Sequence, residues 1–290
     1  MRDSAIRHLV GCDDSPLIAA ALFESTVQIW HLEKAEKIGE FETILDFGGQ
    51  RLALAAAGSI CVTGSWTQGL SAYSVPDGKR LWHRADLSEI QTLTVDAAGQ
   101  VVYCGLERGP LAVIDVNTGT TSGTMRGALR VVPSRFGPGT LIVRRERYRI
   151  EGTRSFEIPP MSFALVGAAL SPDAVCISEP KAGVRCIDLA SGDHLWHHPE
   201  LHVGEVTFAA SDHNFYCVSR VESAPLQCSL IRLAPGLLDC DKVAQIGVCW
   251  EETFAQAGES LVTMRGDVYE TSTGRLLTRL EFPQRDYPDR

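Results

Sequence analysis

The sequence predicts an all-β protein, a seven-bladed β-propeller of four-stranded antiparallel blades. Three observations predict it: one strand-and-turn segment recurs along the chain, its copies are spaced by the length of a blade, and no long segment has helical periodicity. The recurring segment is a short strand that ends at a bulky anchor residue, followed by a turn with glycine five positions further on. Seven copies at this spacing account for the 290 residues.

The anchors of the seven copies are bulky apolar residues, and five copies carry the turn glycine. The anchors are Trp30, Tyr73, Ile114, Ile150, Ile187, Ile231 and Tyr269, and the glycines are Gly78, Gly119, Gly192, Gly236 and Gly274. Ala35 and Ser155 replace the glycine in the other two copies. Successive anchors lie about 40 residues apart on average, which is the length of one four-stranded blade.

The backbone conformation of the c–d turns explains why glycine recurs there. A meander of antiparallel strands a, b, c and d needs a tight turn between c and d, and Asp-Gly, Thr-Gly and Ser-Gly supply the positive φ of such turns. Apolar segments such as 101–104 and 174–178 suit strands that neighbouring blades cover on both faces. The predicted blades are approximately residues 6–41, 44–84, 90–126, 128–157, 163–198, 204–246 and 247–282.

The second copy illustrates the expected strand pattern, with strands near 51–57, 60–65, 70–75 and 80–84. All four strands of each blade then come from consecutive sequence, so the first blade packs on the last without a borrowed strand. A fixed period favours a propeller over a β-sandwich or two small β domains. We therefore expect residues 1–290 to form one domain.

The c–d segments carry a family resemblance. Ile187 to Trp196 has an Asp-x-x-x-Gly turn before Leu-Trp, Tyr73 to Trp82 has serine for the aspartate, and Ile114 to Gly119 lacks the tryptophan. This pattern resembles the repeat of pyrroloquinoline-quinone-type propellers. The turns at Leu170–Asp173 and Val95–Gly99 are instead similar to the a–b turns of WD repeats, although the Gly-His and Trp-Asp signatures are absent. The resemblance implies an architecture and not an activity.

The quinone cofactor is not implied. Quinoprotein dehydrogenases are longer, exported, eight-bladed enzymes with calcium and a vicinal cysteine pair, and this sequence shows none of these features. We expect no cofactor, and we expect the tryptophans at the quinoprotein position to dock neighbouring blades.

Charge and cysteine use restrict the partners and the compartment. The net charge of −9 disfavours nucleic acid and anionic membranes and is compatible with a basic protein partner. We see no secretory signal and no membrane-length apolar run. The 9 cysteines are scattered without CxxC spacing, as expected of reduced, buried thiols in a cytoplasmic protein.

Motifs for catalysis or metal binding are weak. The densest candidate comprises His194, His197, His198 and His202, whose side chains do not converge on one strand face. No GxSxG, GxGxxG or GxxxxGK[ST] motif occurs. Most acidic candidates are expected in separate turns: Asp13, Asp14, Asp46, Glu89, Asp96 and Asp173. We therefore predict no catalytic, metal or cofactor site.

The one basic run is Arg144 to Arg149, at the expected b–c turn of the fourth blade. Its arginines suit a phosphate or a carboxylate-rich partner. The alternative is a solvated strand pair with local Arg–Glu pairing, and the sequence leaves both open.

Binding surfaces of propellers gather where loops converge, and the b–c and d–a loops share one end. The predicted partner-binding residues are Trp66, Gln68, Glu107, Arg108, Arg145, Arg147, Glu179, Lys181, Arg220, Glu222 and Arg265. Trp66 is the expected anchor, unless it packs between blades instead.

These observations predict a non-catalytic protein–protein interaction scaffold that is monomeric alone. A specific form of this hypothesis is an immunity or inhibitor protein that caps a toxin or enzyme. The alternatives are a hydrolase or lyase with a metal or carboxylate site in the central channel, and a sensor of a small ligand.

Overall fold

In the computed structural model the chain forms seven four-stranded antiparallel sheets and one two-stranded sheet. The structure describes residues 3–4, 6–12, 15–23, 25–43, 51–137, 139–152, 154–162, 165–201, 203–209, 211–221, 224–235, 240–246 and 254–285. Within these ranges the only helical element is a 3₁₀ turn at Ala56–Gly58. No helix in the described part of the chain is long and apolar enough to cross a membrane.

Every four-stranded sheet is a meander of consecutive strands, which we call a blade, with strands a to d in chain order. Blade 1 comprises β2 Ile6–Gly11, β3 Leu17–Leu22, β4 Thr26–His31 and β5 Glu36–Glu42. Blade 2 comprises β6 Arg51–Ala55, β7 Ile60–Ser65, β8 Gly69–Ser74 and β9 Arg80–Arg84. Blade 3 comprises β10 Ile90–Val95, β11 Val101–Leu106, β12 Leu111–Asp115 and β13 Thr121–Met125. Blade 4 comprises β14 Arg130–Pro133, β15 Thr140–Val143, β16 Tyr148–Glu151 and β17 Phe156–Ile158. Blade 5 comprises β18 Gly167–Leu170, β19 Ala174–Glu179, β20 Gly183–Asp188 and β21 His194–His198. Blade 6 comprises β22 Val203–Ala209, β23 Asn214–Val221, β24 Ala224–Leu233 and β25 Cys240–Ile246. Blade 7 comprises β26 Phe254–Ala257, β27 Ser260–Thr263, β28 Asp267–Glu270 and β29 Leu276–Arg279, and β1 Asp3–Ser4 pairs with β30 Gln284–Arg285.

The blades fall into two compact units. The first unit contains residues 1–125, 254–269 and 276–290, and the second contains 126–253 and 270–275. Blades 1, 2, 3 and 7 therefore belong to the first unit, except for the c–d turn of blade 7, and blades 4, 5 and 6 belong to the second. That residues 1–290 form one domain stays a prediction.

In the first unit, a strands of successive blades pack against one another: β26 against β2, β2 against β6, and β6 against β10. In the b strand β3, Ile18 to Ala21 are wholly excluded from solvent. Strands covered on both faces cannot alternate polar and apolar residues, which explains the continuous apolar runs in the sequence.

The first and last blades are neighbours within this unit. Trp30 of blade 1 packs edge-to-face on Phe282, with ring centroids 5.2 Å apart. A Cβ at Gly11 of β2 would overlap the backbone carbonyl of Gln256 in β26, so the two strands approach too closely for any side chain there. Because all four strands of each blade are consecutive, these blades meet by packing, as the sequence predicted, and the short β1–β30 pair adds a connection between them.

In the second unit, β14 packs on β18, and β18 packs on β22. Two apolar clusters fill the spaces between blades 4 and 5 and between blades 5 and 6. Trp196 of blade 5 lies in the second cluster and donates a hydrogen bond from Nε1 to the carbonyl of Ala234 in blade 6 at 3.0 Å. The expected role of this tryptophan in docking the neighbouring blade is confirmed.

Candidate protein-interaction surface

The b–c turns and d–a connections lie at one end of each blade, which we call the b–c end. In the first unit, backbone hydrogen bonds join the loops of blades 2 and 3 at this end. The N–H of Glu89 donates to the carbonyl of Trp66 at 2.7 Å, and the N–H of Glu107 donates to the carbonyl of Glu89 at 2.8 Å. Two b–c turns are thus held together through the d–a connection between them, which fixes the positions of their side chains.

Trp66 lies at this junction with its indole half-buried. Gln68 of the same turn is exposed, and its N–H donates to Oγ of Ser65 at 2.9 Å. Trp66 is therefore neither a fully exposed anchor nor a fully buried packing residue, but it offers part of its ring to solvent.

Glu107 and Arg108 are both exposed in the b–c turn of blade 3. Oε2 of Glu107 accepts a hydrogen bond from Nε2 of Gln91 at 2.6 Å, and the carbonyl of Gln91 accepts one from Nε of Arg51 at 2.5 Å. The guanidinium of Arg108 has no hydrogen-bond or ion-pair partner among the described residues. This arrangement leaves the exposed Arg108 guanidinium able to meet a partner at the b–c end of blade 3.

Blades 1 and 7 contribute further exposed groups at the b–c end of the first unit. Arg265 is exposed in the b–c turn of blade 7. Cζ of Arg7 lies 4.7 Å from the ring centroid of Phe23, which is 38% exposed. Phe23 was missed by the sequence reasoning, although its place at the end of an apolar strand and before a turn was a usable signal.

In the second unit the basic run forms the b–c turn of blade 4. The N–H of Arg144 donates to the carbonyl of Arg147 at 3.0 Å, and Nη1 of Arg144 donates to the carbonyl of Arg126 at 3.0 Å. Arg147 is exposed and pairs with Glu157 at 3.2 Å, whereas Arg145 is exposed with no side-chain partner among the described residues. The local Arg–Glu pairing is present for Arg147 and also for Arg149, whose Nε lies 3.0 Å from Oε1 of Glu151, while binding of a partner by this run stays a prediction.

The prediction that Glu179 is a solvent-facing, partner-binding residue is wrong, since its side chain is only 1% exposed. Nε of Arg185 lies 3.0 Å from its Oε2, while Oε1 accepts hydrogen bonds from the Tyr148 hydroxyl at 2.9 Å and the Met161 N–H at 2.8 Å. Arg185 also donates to the carbonyl of Pro159 at 2.8 Å. The d–a connection thus covers Glu179, and the residue cannot contact a partner.

Tyr148 joins blade 4 to this buried pair. Burial, followed by the neighbouring Glu179 carboxylate, raises the pKa of the Tyr148 phenol well above its usual value. The phenol therefore stays protonated and keeps donating its hydrogen bond.

The remaining predicted residues lie at the b–c end of the second unit or outside the described side chains. Lys181 is exposed in the b–c turn of blade 5 with φ of 61°. The backbone of Arg220 lies in β23, its side chain is outside the described part of the structure, and Glu222 lies outside the described residues.

The histidine candidates do not converge. His197 Nε2 lies 2.7 Å from the carbonyl of Ala182, and His198 Nδ1 lies 2.9 Å from Oε1 of Glu200. Burial lowers the pKa of His194, with smaller effects from nearby Arg185 and His197. His202 is outside the described residues. Across the described ranges, no group of three or more His, Cys, Asp or Glu side chains is arranged to hold a metal ion.

Asp96 and Cys61 have structural roles. Oδ1 of Asp96 accepts backbone hydrogen bonds from Gln100 at 2.7 Å and Val101 at 2.8 Å, which closes the a–b turn of blade 3. Burial raises the pKa of the Cys61 thiol to about 12, so this cysteine stays protonated at neutral pH. Asp13, Asp14 and Asp46 lie outside the described residues.

No protein-family model matches the chain, and no curated protein matches it closely. Three similar solved structures have the titles "Crystal structure of RRP9 WD40 repeats", "Crystal Structure of Mitotic Checkpoint Complex" and "Structure of U3-55K". The first has 13% identity and a TM-score of 0.68, covering 90% of this chain and 87% of the other. The second has 14% identity and a TM-score of 0.71, covering 97% of this chain and 92% of the other. The third has 13% identity and a TM-score of 0.65, covering 90% of this chain and 88% of the other.

At this identity the likeness shows the fold alone. The chain has the fold of a seven-bladed, WD40-like β-propeller, as the repeat period predicted. The similarity to pyrroloquinoline-quinone-type propellers stays a resemblance of the c–d turns.

Proposed function

We propose that this WD40-like propeller is a non-catalytic scaffold that binds another protein through the b–c ends of its blades. One observation carries the proposal. In each unit, large or cationic side chains reach solvent from the b–c turns: Trp66 and Arg108 in the first unit, where backbone hydrogen bonds join the turns, and Arg145 and Lys181 in the second. Tryptophan and arginine dominate the binding energy of protein interfaces.

Pre-organisation supports this role. Ordering a loop on binding costs free energy, and a loop that is already bonded to its neighbours avoids most of that cost. The carbonyl of Trp66, both backbone groups of Glu89 and the N–H of Glu107 form such a bonded chain. The same argument applies to Arg144 and Arg126 in the second unit.

The similar structures also fit a protein partner. One of them comes from a structure titled as a complex, "Crystal Structure of Mitotic Checkpoint Complex". A propeller is a rigid platform whose loops vary without disturbing the blades, so the same fold suits many partners.

A more specific form of the proposal is an immunity or inhibitor protein, monomeric alone and cytoplasmic, that caps a toxin or enzyme. The net charge of −9 would speed association with a basic target through long-range attraction. A basic target would be attracted by the net negative charge of the whole molecule, whatever the charge of the surface that it finally contacts.

Copurification of the tagged chain from its native host tests the proposal. We expect a stoichiometric partner that is lost with Trp66→Ala or Arg147→Glu. Lys79→Glu is the matched control, since Lys79 is exposed in a c–d turn at the other end of blade 2 and its substitution should leave the partner bound. Loss of the partner with all three variants, or with none, would reject the named surface, and thermal unfolding of each variant excludes misfolding.

A further inference from the structure

We infer that the b–c end of blades 4 and 5 is a docking site for an acidic segment of a partner protein that also carries apolar side chains. This inference rests on the proposed function and names the partner chemistry for the second unit. Net charge alone suggests a basic partner. This surface is locally positive whereas the whole chain is negative, so it favours an acidic segment instead.

The surface concentrates cations in an acidic protein. The basic residues of its loops and strand ends are Arg126, Arg130, Arg144, Arg145, Arg147 and Lys181. Arg147 pairs with Glu157 at 3.2 Å, and Arg130 lies 3.8 Å from Glu205. Arg145 and Lys181 are exposed, and neither has a side-chain partner among the described residues.

The acidic residue closest in sequence to Lys181 does not offset this charge at the surface. Glu179 is buried and lies 3.0 Å from Arg185, so the two charges compensate each other beneath the loop. Burial of this ion pair removes the carboxylate of the b–c turn of blade 5 from the surface. Exposed Glu200, in the connection after β21, lies 2.9 Å from Nδ1 of His198, and exposed Glu146 lies within the arginine turn, so the cations of the surface still outnumber its exposed carboxylates. An incoming carboxylate can therefore pair with Arg145 or Lys181 without displacing an internal one.

Apolar side chains flank the cations. Met161 of the d–a connection is 50% exposed, and Leu129 before β14 is 37% exposed. A flexible thioether adapts to varied apolar partners, which suits a recognition surface. The pairing of exposed cations with exposed apolar groups matches a segment in which acidic and apolar residues are mixed.

The buried pair also fixes the geometry of the surface. Glu179 accepts hydrogen bonds from the Tyr148 hydroxyl, next to the arginine turn, and from the N–H of Met161. One carboxylate therefore holds the loop with the cations and the loop with the apolar group at a set position. A segment that binds here pays little for ordering the site.

An acidic peptide fits this surface better than a nucleic acid. Binding to a polyphosphate depends on many cations along its length, and the chain as a whole carries −9. Arginine pairs with a carboxylate through a planar fork, so a few cations suffice for a short acidic segment. The exposed Met161 and Leu129 have no counterpart in a phosphate backbone.

Fluorescence anisotropy with the full chain tests the inference. The probe is a labelled peptide of repeating Glu-Glu-Leu units, compared with a Lys-Lys-Leu peptide and with a labelled single-stranded DNA. We expect the acidic peptide to bind, to weaken with added salt, and to weaken by about tenfold or more in the double variant Arg145→Glu/Lys181→Glu. Lys79→Glu/Arg80→Glu changes the net charge equally at exposed positions of the other unit and should bind like the unaltered chain.

The other outcomes overturn the inference. These are no binding of the acidic peptide, equal weakening in both double variants, or preferential binding of the DNA or the basic peptide. If the peptide does not bind while the copurified partner is still lost with Trp66→Ala, the docking inference fails and the proposed function stands. If Arg145→Glu/Lys181→Glu abolishes peptide binding but the Trp66→Ala variant keeps every partner, the inference stands and the role of Trp66 fails.

Discussion

The indole of Trp82 in blade 2 lies directly on Gly119 in the c–d turn of blade 3. A Cβ added at Gly119 would stand 2.7 Å from Cδ2 of Trp82, and the glycine has φ of +70°. Nε1 of Trp82 also donates a hydrogen bond to the carbonyl of Val116 in the same turn at 2.8 Å. The repeat glycine is therefore required twice, by the turn's backbone conformation and by the ring of the preceding blade.

The same relationship recurs within each unit. A d-strand side chain of one blade packs on the turn glycine of the next in three further pairs: Phe41 with Gly78, Phe156 with Gly192, and Val243 with Gly274. The c–d turn thus takes part in the packing between blades, as expected of a motif whose resemblance implies an architecture.

Replacing Gly119 with alanine should destabilise the protein by about 2–4 kcal/mol, because positive φ and the clash with Trp82 add together. Urea unfolding measures the change. Gly258→Ala is the matched control, since Gly258 has φ of +54° and nothing within 4 Å of the added Cβ. It should cost only about 1 kcal/mol, and equal losses for the two variants would contradict the packing role.

Two tryptophans should respond differently to phenylalanine. Trp196→Phe removes the hydrogen bond to the Ala234 carbonyl inside a buried cluster, so we expect a loss of about 1–3 kcal/mol in the free energy of unfolding. Trp66→Phe should change stability by less than about 0.5 kcal/mol, because this half-buried ring lies at the surface. A larger loss for Trp66→Phe would mean that Trp66 is a packing residue and not an interaction anchor.

Breaking the buried ion pair of blade 5 should be costly. Glu179→Gln leaves the Arg185 guanidinium uncompensated, and we expect a loss of about 3–5 kcal/mol in the free energy of unfolding. The double variant Glu179→Gln/Arg185→Met should recover part of it, since no buried charge remains. Glu157→Gln, which breaks the exposed pair with Arg147, should cost at most about 1 kcal/mol. Similar losses for both glutamate variants would show that Glu179 is solvated.

Acid should weaken the c–d turn of blade 5. Hydrogen bonds from the backbone of Ser191, with a smaller effect from Ala190, hold the pKa of Asp188 below its usual value. A carboxyl whose pKa is lowered in the folded state stabilises it above the unfolded pKa of about 3.9, and this contribution disappears as the pH falls through the folded value.

The free energy of unfolding of the unaltered chain and of the Asp188→Asn variant, measured from neutral to acidic pH, checks the prediction. The difference in unfolding free energy between the two should be largest near neutral pH and should shrink in acid. The control is Asp77→Asn, which alters an exposed aspartate whose carboxylate accepts no hydrogen bond among the described residues and should change the free energy of unfolding at neutral pH by less than about 0.5 kcal/mol. A constant difference for Asp188→Asn would contradict the turn-closing role of its charge.

The repeat was sufficient to predict the fold, because bulky anchors and apolar strands mark each blade and five of the seven copies carry the turn glycine. In blade 2 the predicted strands near 51–57, 60–65, 70–75 and 80–84 differ from β6 to β9 only at their ends. The placement of Glu179 could not be predicted in the same way. A turn carboxylate looks the same in sequence whether it faces solvent or an arginine. Here the burial depends on the loop of Met161, 18 residues earlier, which folds over Glu179. Chain order sets which end of a blade a residue occupies, whereas burial depends on neighbours that the repeat does not specify.

The central claim, that a partner binds at the b–c ends, is tested most directly by hydrogen–deuterium exchange on the copurified complex. Backbone protection relative to the free chain should appear in the b–c turns that contain Trp66, Glu107 and Arg145, while the c–d turns that contain Gly78, Gly119 and Gly192 should exchange as before. Protection confined to the c–d turns, or no change at the b–c turns, would contradict the claim.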